Sequence, residues 1–325
     1  MLKYSFIIPV KEINNYIREA IPKILAIKRD DYEIIIYPDA ANAEKWDKTR
    51  QIATGHVGPA VKRNLAINDA GGEIFIFIDD DAYPAENFLQ ILDEDFKDAK
   101  IKAVGGPAIT PPDDNFWQKV SGAVSLSFFS GGNPERFVSR GGKRFVADWP
   151  SVNFSIRQEV FSELNGFAGE FWPGEDTKLC RDLNNKYPQS IIYDPALIVF
   201  HHRRANLFAH LKQNAAYGLH RGYFAKRYPE TSLKLKYFLP AFFLLFAVLG
   251  AVLSFFNPII LKIYLLGWLV YLIAILIALW DIRRYEKNQL IILNAIYYIV
   301  LTHLVYGYFF IKGLVFTREL RSKLR

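Results

Sequence analysis

Two acidic clusters carry the chemistry this sequence can do. Asp79, Asp80 and Asp81 stand in a row directly after an apolar run (residues 74–78, IFIFI), and Glu175 and Asp176 follow Trp172, Pro173 and Gly174. Adjacent carboxylates at the end of a buried strand repel one another and persist only where a cation or hydrogen-bond donors offset them. Oxygen ligands of this hardness suit Mg2+ or Mn2+, ions that also bind substrate phosphates. Read alone, the triplet serves equally as a helix N-cap with solvated neighbours. The Glu-Asp pair offers a carboxylate that takes a proton from a hydroxyl, and it too has a plain reading as a helix cap. A third group, His201, His202, Arg203 and Arg204, closes the strand-like run 191–200. An imidazole there can complete a metal shell, and an arginine can grip phosphate. A pair of partly buried histidines is also an ordinary structural feature.

The elements that must position these groups follow from periodicity. Residues 4–10 (YSFIIPV), 33–37 (EIIIY) and 74–78 are continuous β-rich runs, as strands covered on both faces are. Ile17, Ile21, Ile24 and Leu25 recur at helical spacing between the first two runs, and Val61, Leu65 and Ile67 between the second and third. Strands alternating with helices predict right-handed βαβ units and a mostly parallel sheet, in an α/β fold. Ligands of such sheets sit beyond the carboxyl ends of the strands. Lys11 and Glu12, Asp39, and the aspartate triplet fall at those ends. The breaker cluster 107–114 (PAITPPDD) divides a nucleotide half, 1–106, from an acceptor half, 107–205.

Context gives the clusters a family. Gly58-Pro59-Ala60-Val61-Lys62-Arg63-Asn64, then Ala70-Gly71-Gly72-Glu73, the strand, the triplet and Tyr83-Pro84 follow in order. This series resembles the family-2 inverting glycosyltransferases of the GT-A fold, and the resemblance extends over about residues 4–220. Residues 6–10 look like the family's opening strand, so Pro9, Val10 and Glu12 are expected beside the donor nucleotide. The resemblance further implies that Asp39 contacts the base or ribose and that Arg63 supports the donor pocket. Asp79, Asp80 and Asp81 would face the ribose and the metal-bound diphosphate, with Asp79, Asp81 and His202 as metal ligands for Mg2+ or Mn2+. Asp176 is expected as the base, Glu175 as its partner or an acceptor contact, and Trp172 as a platform for the acceptor. Two departures matter. Lys11-Glu12 stands where the family has Tyr-Asn-Glu. Gln213 is followed by Asn214-Ala215-Ala216-Tyr217, without the Arg-Trp pair of processive members, which favours addition of one sugar.

The last third of the chain is of another character. Residues 237–256, 259–280 and 290–316 are nearly free of charge, and each is long enough to cross a bilayer. Between 203 and 236 eight lysines and arginines face the single acid Glu230, in a stretch adjoining the first span. A basic stretch of this kind, 206–236, fits an anionic lipid surface rather than nucleic acid and sets that side as cytoplasmic. A second basic segment, 317–325, ends the chain. Three full crossings would put it outside, against the positive-inside tendency; a re-entrant third segment would avoid that conflict. No cleavable leader is evident at residues 1–10, and the lone Cys180 agrees with a reducing compartment.

The expectation is therefore a catalytic domain on the cytoplasmic side of the inner membrane, anchored by several spans. It would move one sugar from a nucleotide-sugar donor to a membrane lipid or lipid-linked saccharide. Direct transfer to polyprenyl phosphate is the alternative acceptor chemistry, and an inactive membrane scaffold is the alternative class.

Overall fold

A computed structural model describes residues 2–171 and 173–320. The chain divides into two compact units. One comprises residues 2–111 and Val138–His202; the other comprises Pro112–Phe137 and Arg203–Leu320.

The first unit is built on an eight-stranded sheet. Its strands are β1 (Tyr4–Pro9), β2 (Tyr32–Tyr37), β3 (Thr49–Gln51), β4 (Ile74–Phe77), β6 (Ala103–Gly105), β8 (Arg144–Phe145), β9 (Phe154–Arg157) and β10 (Ile191–Tyr193). Their order is β3-β2-β1-β4-β9-β6-β10-β8, and only β9 and β8 run against the rest. A three-stranded sheet, β5 (Ala82–Pro84), β11 (Val199–His201) and β7 (Ala108–Ile109), lies in the same unit. The α/β, mostly parallel expectation holds. The continuous apolar runs have the anticipated cause: Phe6 and Ile8 enter one core with the helix Asn15–Leu25, while Ile7 enters another with Phe75 and Phe77. Both faces of the central strands are covered, so apolar residues fill both alternate positions; the buried polar pair Ser5 and Glu33 is satisfied by a hydrogen bond between β1 and β2. Gly72 is required by close approach, since a Cβ there would stand 2.6 Å from Ser5 Oγ and the Tyr4 backbone.

Three details differ from the sequence expectation. Residues 191–200 form two strands in two sheets, because Asp194 and Pro195 break the run between β10 and β11. Val61 is exposed, and its short helix Pro59–Asn64 buries Ala60, Lys62 and Arg63 instead. Pro112–Phe137, placed by sequence in the acceptor half, clusters with the helical unit.

That second unit contains the helices Phe116–Ala123, Leu207–Arg227, Leu235–Ser254, Pro258–Ile282 and Gln289–Ile311, the last continuing through a π turn at Lys312–Phe316. Asn206, Asn257 and Asn288 cap three of them by accepting from backbone N–H groups of the first turn. Leu235–Ser254, Pro258–Ile282 and Gln289–Phe316 are long and apolar enough to cross a membrane. Within this unit Val120, Ala123 and Val124 pack with Ile275, Ala278, Ala295 and Ile299. This explains the boundary shift: the apolar face of Phe116–Ala123 is spent on the long helices.

Candidate active site

The strand ends of the first unit bring the acidic clusters together. Asp79 follows β4, and β5 begins at Ala82, so the triplet fills a tight connection between the large and small sheets. β11 pairs antiparallel with β5, in the register His201 with Ala82 and Val199 with Pro84. The His202 N–H donates to the Asp81 carbonyl at 3.0 Å, extending that ladder. A segment 120 residues downstream in the chain is thereby fixed beside the triplet.

Alternation along β11 then decides which imidazole arrives. His201 Nε2 lies 3.1 Å from Asp81 Oδ1. Asp79, Asp81 and His201 each present a ligand atom within 4.8 Å of the others. His202, the ligand expected from the sequence, points elsewhere: its Nε2 is 3.1 Å from Glu19 Oε2 and its ring packs on Tyr16, centroids 4.7 Å apart. Successive side chains of a strand face opposite ways, so only one of two adjacent histidines can reach the triplet. Two carboxylates and one imidazole form a donor set that fits a divalent cation of the Mn2+ or Mg2+ kind. Asp80 is turned aside and accepts a hydrogen bond from Asn14 Nδ2 at 2.7 Å. Burial pushes its carboxyl up to about 7, with the charge of Asp81 adding to the rise and the Asn14 bond opposing it.

The second cluster is joined to the first by Arg63. From the buried face of its short helix, the guanidinium donates to Asp79 Oδ1 at 2.6 Å and to Glu175 Oε1 at 3.0 Å. The Arg63 and Glu175 side chains are 4% and 5% exposed. Breaking such a pair strands an ion in the interior and costs about 3–5 kcal/mol. Glu175 also accepts from the Gly174 N–H at 2.9 Å. Burial raises its carboxyl to about 7, the neighbouring Asp176 adds to this, and Arg63 opposes it. Gly174 starts the helix Glu175–Lys186 at φ 130°, a backbone that residues with side chains rarely adopt. That turn separates the pair: Glu175 is enclosed, whereas Asp176 is half-buried and accepts the Thr177 N–H at 2.7 Å. Next to the clamp, Asn64 donates to the Phe167 carbonyl and accepts the Phe167 N–H, both at 2.8 Å, and so secures the approach to Gly174. Trp172 lies outside the described residues.

The remaining expected residues gather at the ends of β1 and β2. Pro9 and Val10 are buried there, Glu12 is exposed, and the Asp39 N–H donates to the Lys11 carbonyl at 2.9 Å. Asp39 pairs with Lys62 and with His56. Lys62 was not expected. A lysine between Val61 and Arg63 carries no periodic mark of burial; its signal is the acid 23 positions earlier that it neutralises.

The model of glycosyl transferase family 2 matches residues 5–164. The poly(ribitol-phosphate) beta-N-acetylglucosaminyltransferase TarS of Staphylococcus aureus (strain Mu50 / ATCC 700699) is 27% identical over 129 residues, 34% of this chain and 22% of that protein. The chain thus spans about a fifth of the curated relatives it matches. Among solved structures, the mannosyltransferase PcManGT from Pyrobaculum calidifontis, in complex with GDP-Man and Mn2+, aligns with a TM-score of 0.56 at 16% identity. The alignment covers 96% of this chain and 87% of that one, a likeness of fold.

Proposed function

The chain is a glycosyltransferase with a family 2 domain over residues 5–164, and from that premise we propose the reaction it performs. It moves one sugar, with inversion, from a nucleotide-sugar donor to an acceptor held at a membrane. The observation that carries this reading is Arg63, whose single buried guanidinium holds Asp79 of the triplet and Glu175 of the pair. Two clusters distant in sequence thereby serve one site.

The roles follow from exposure and chemistry. Pro9, Val10, Glu12 and Asp39 border the donor nucleotide, and Asp80 supports the turn that carries Asp79 and Asp81. Asp79, Asp81 and His201 would hold Mn2+ or Mg2+, and the mixed oxygen and nitrogen set favours Mn2+. Such an ion, when bound, neutralises charge on the departing diphosphate. Asp176, the more open carboxylate, takes the proton from the acceptor hydroxyl as that oxygen attacks the anomeric carbon from the face opposite the diphosphate. Glu175 orients the start of its helix through Arg63 and the Gly174 N–H. PcManGT in complex with GDP-Man and Mn2+ supports the donor and metal classes. The three long apolar helices support membrane attachment and a lipid-linked saccharide as acceptor. The basic stretches 203–236 and 281–289 support a cytoplasmic catalytic side.

The test is release of nucleoside diphosphate by the full chain from a panel of nucleotide sugars, with lipid-linked saccharides present or absent. Release that needs both the acceptor and Mn2+ or Mg2+, and that Asp79→Asn removes, is the expected result. Turnover that survives chelation would sink the metal-dependent mechanism.

A further inference from the structure

Lys62 sits beside Arg63 on the same short helix and is equally buried, yet it serves a different pair of strand ends. Its Nζ donates to the Val10 carbonyl, just past β1, at 2.6 Å, and to Asp39 Oδ1 beyond β2. The same two segments are joined by the Val10 N–H donating to the Tyr37 carbonyl at 3.1 Å. Asp39 Oδ2 faces His56 Nδ1 at 3.1 Å, and that imidazole stands on an open loop, its side chain 58% exposed. An ammonium is rarely enclosed to this degree unless it is paired. Lys62 is paired with one carboxylate and one carbonyl, and both belong to the segments read above as the border of the donor nucleotide. Its bond holds the Asp39 carboxyl below the usual carboxylate range, with His56 adding to the effect.

We propose that Lys62 is a positioning residue of the donor pocket, locking the ends of β1 and β2 and fixing Asp39 as an acceptor that selects a base with an N–H beside a carbonyl. The inference rests on the reading of Asp39 as a donor-nucleotide contact. Uracil has such an edge at N3–H, and guanine has one at N1–H. Cytosine and adenine instead present an unprotonated ring nitrogen beside an amino group. An ionised carboxylate only accepts, so when held opposite the ring nitrogen it bonds to the first kind of edge and opposes the lone pair of the second. What Lys62 supplies is position: by holding Oδ1 of Asp39 and the Val10 carbonyl together it fixes where the carboxylate points, and it does this without touching the nucleotide.

The full chain in detergent with Mn2+ is titrated calorimetrically with UDP, GDP, CDP and ADP. UDP or GDP should bind at least about tenfold more tightly than CDP and ADP, the size of one charge-assisted hydrogen bond. Lys62→Met keeps the apolar stem and removes the charge; it should raise the donor KM about tenfold, leave kcat within about twofold and bring the four affinities together. A folded Lys62→Met that still discriminates, or that loses kcat at constant KM, overturns the proposal. If that variant does not fold, Lys62→Arg replaces it: retained discrimination supports the proposal and lost discrimination overturns it. Wild type that binds CDP or ADP as tightly as UDP and GDP also overturns it. Wild type that binds none of the four removes the donor-site reading itself, an outcome distinct from failure of the Lys62 role alone.

Discussion

Phenylalanine leads opposite lives in the two units. Phe77, in β4, is fully enclosed, whereas Phe255, just beyond the helix Leu235–Ser254, is 88% exposed. In the sheet unit apolar side chains leave water, and the interior still contains charges, each met by a partner far away in sequence, as Arg63 meets Glu175. In the helical unit the three long helices turn large apolar groups outward and satisfy their backbone within themselves, a pattern compatible with hydrocarbon surroundings. The lesson is that hydropathy alone does not separate a core strand from a helix long and apolar enough to cross a membrane. Length and the fate of polar groups do. The helical unit still encloses polar groups that meet one another: His210 lies 2.8 Å from Ser121 Oγ and 2.8 Å from Thr302 Oγ1. Burial holds this imidazole neutral, pushing it down to about 4.

That contrast can be broken by experiment. The largest effect is expected from Arg63→Met, which leaves Glu175 buried without its cation. It should cost about 3–5 kcal/mol in chemical denaturation and lower transfer by at least about 100-fold. An active, equally stable variant would show that the two acidic clusters are independent. Next, Phe77→Ala should cost about 3–5 kcal/mol, while Phe255→Ala should cost less than about 0.5 kcal/mol in detergent. Equal losses would erase the distinction between the units.

Acid sharpens it further, with opposite signs. Glu175 is raised from 4.5 to about 7 in the folded chain, so the native state binds more protons in that window and stability falls as pH rises through it. His210 is lowered from 6.5 to about 4, so the unfolded state binds more protons between those values and stability falls as pH drops through them. Melting curves across pH 4–7 should therefore flatten in one direction for Glu175→Gln and in the other for His210→Gln. Parallel shifts in both variants would contradict the assignment.

Much of this was legible in the residues. The runs that became β1, β2 and β4 are mostly apolar because both faces of those strands are covered, and the triplet and the Glu175–Asp176 pair mark strand and helix ends. Adjacent histidines were not separable by pattern, because the register of β11 against β5 decides that His201 and not His202 meets the triplet. Lys62 reads locally as a solvated charge, and only its contact with Asp39 reveals a buried one. Residues 112–137 are broken by Gly131, Gly132 and Pro134. Their helix Phe116–Ala123 belongs with the long apolar helices through packing that no local signal announces.

The central claim is that Asp176 is the base of a two-part site reached through Arg63. Asp176→Asn tests it most directly, with transfer rate and Mn2+-dependent nucleoside diphosphate binding measured on the same preparation. Binding should persist while transfer falls by about 100- to 10,000-fold, the range for loss of a general base. Transfer at the wild-type rate would contradict the assignment and point to an acceptor already ionised, such as a polyprenyl phosphate.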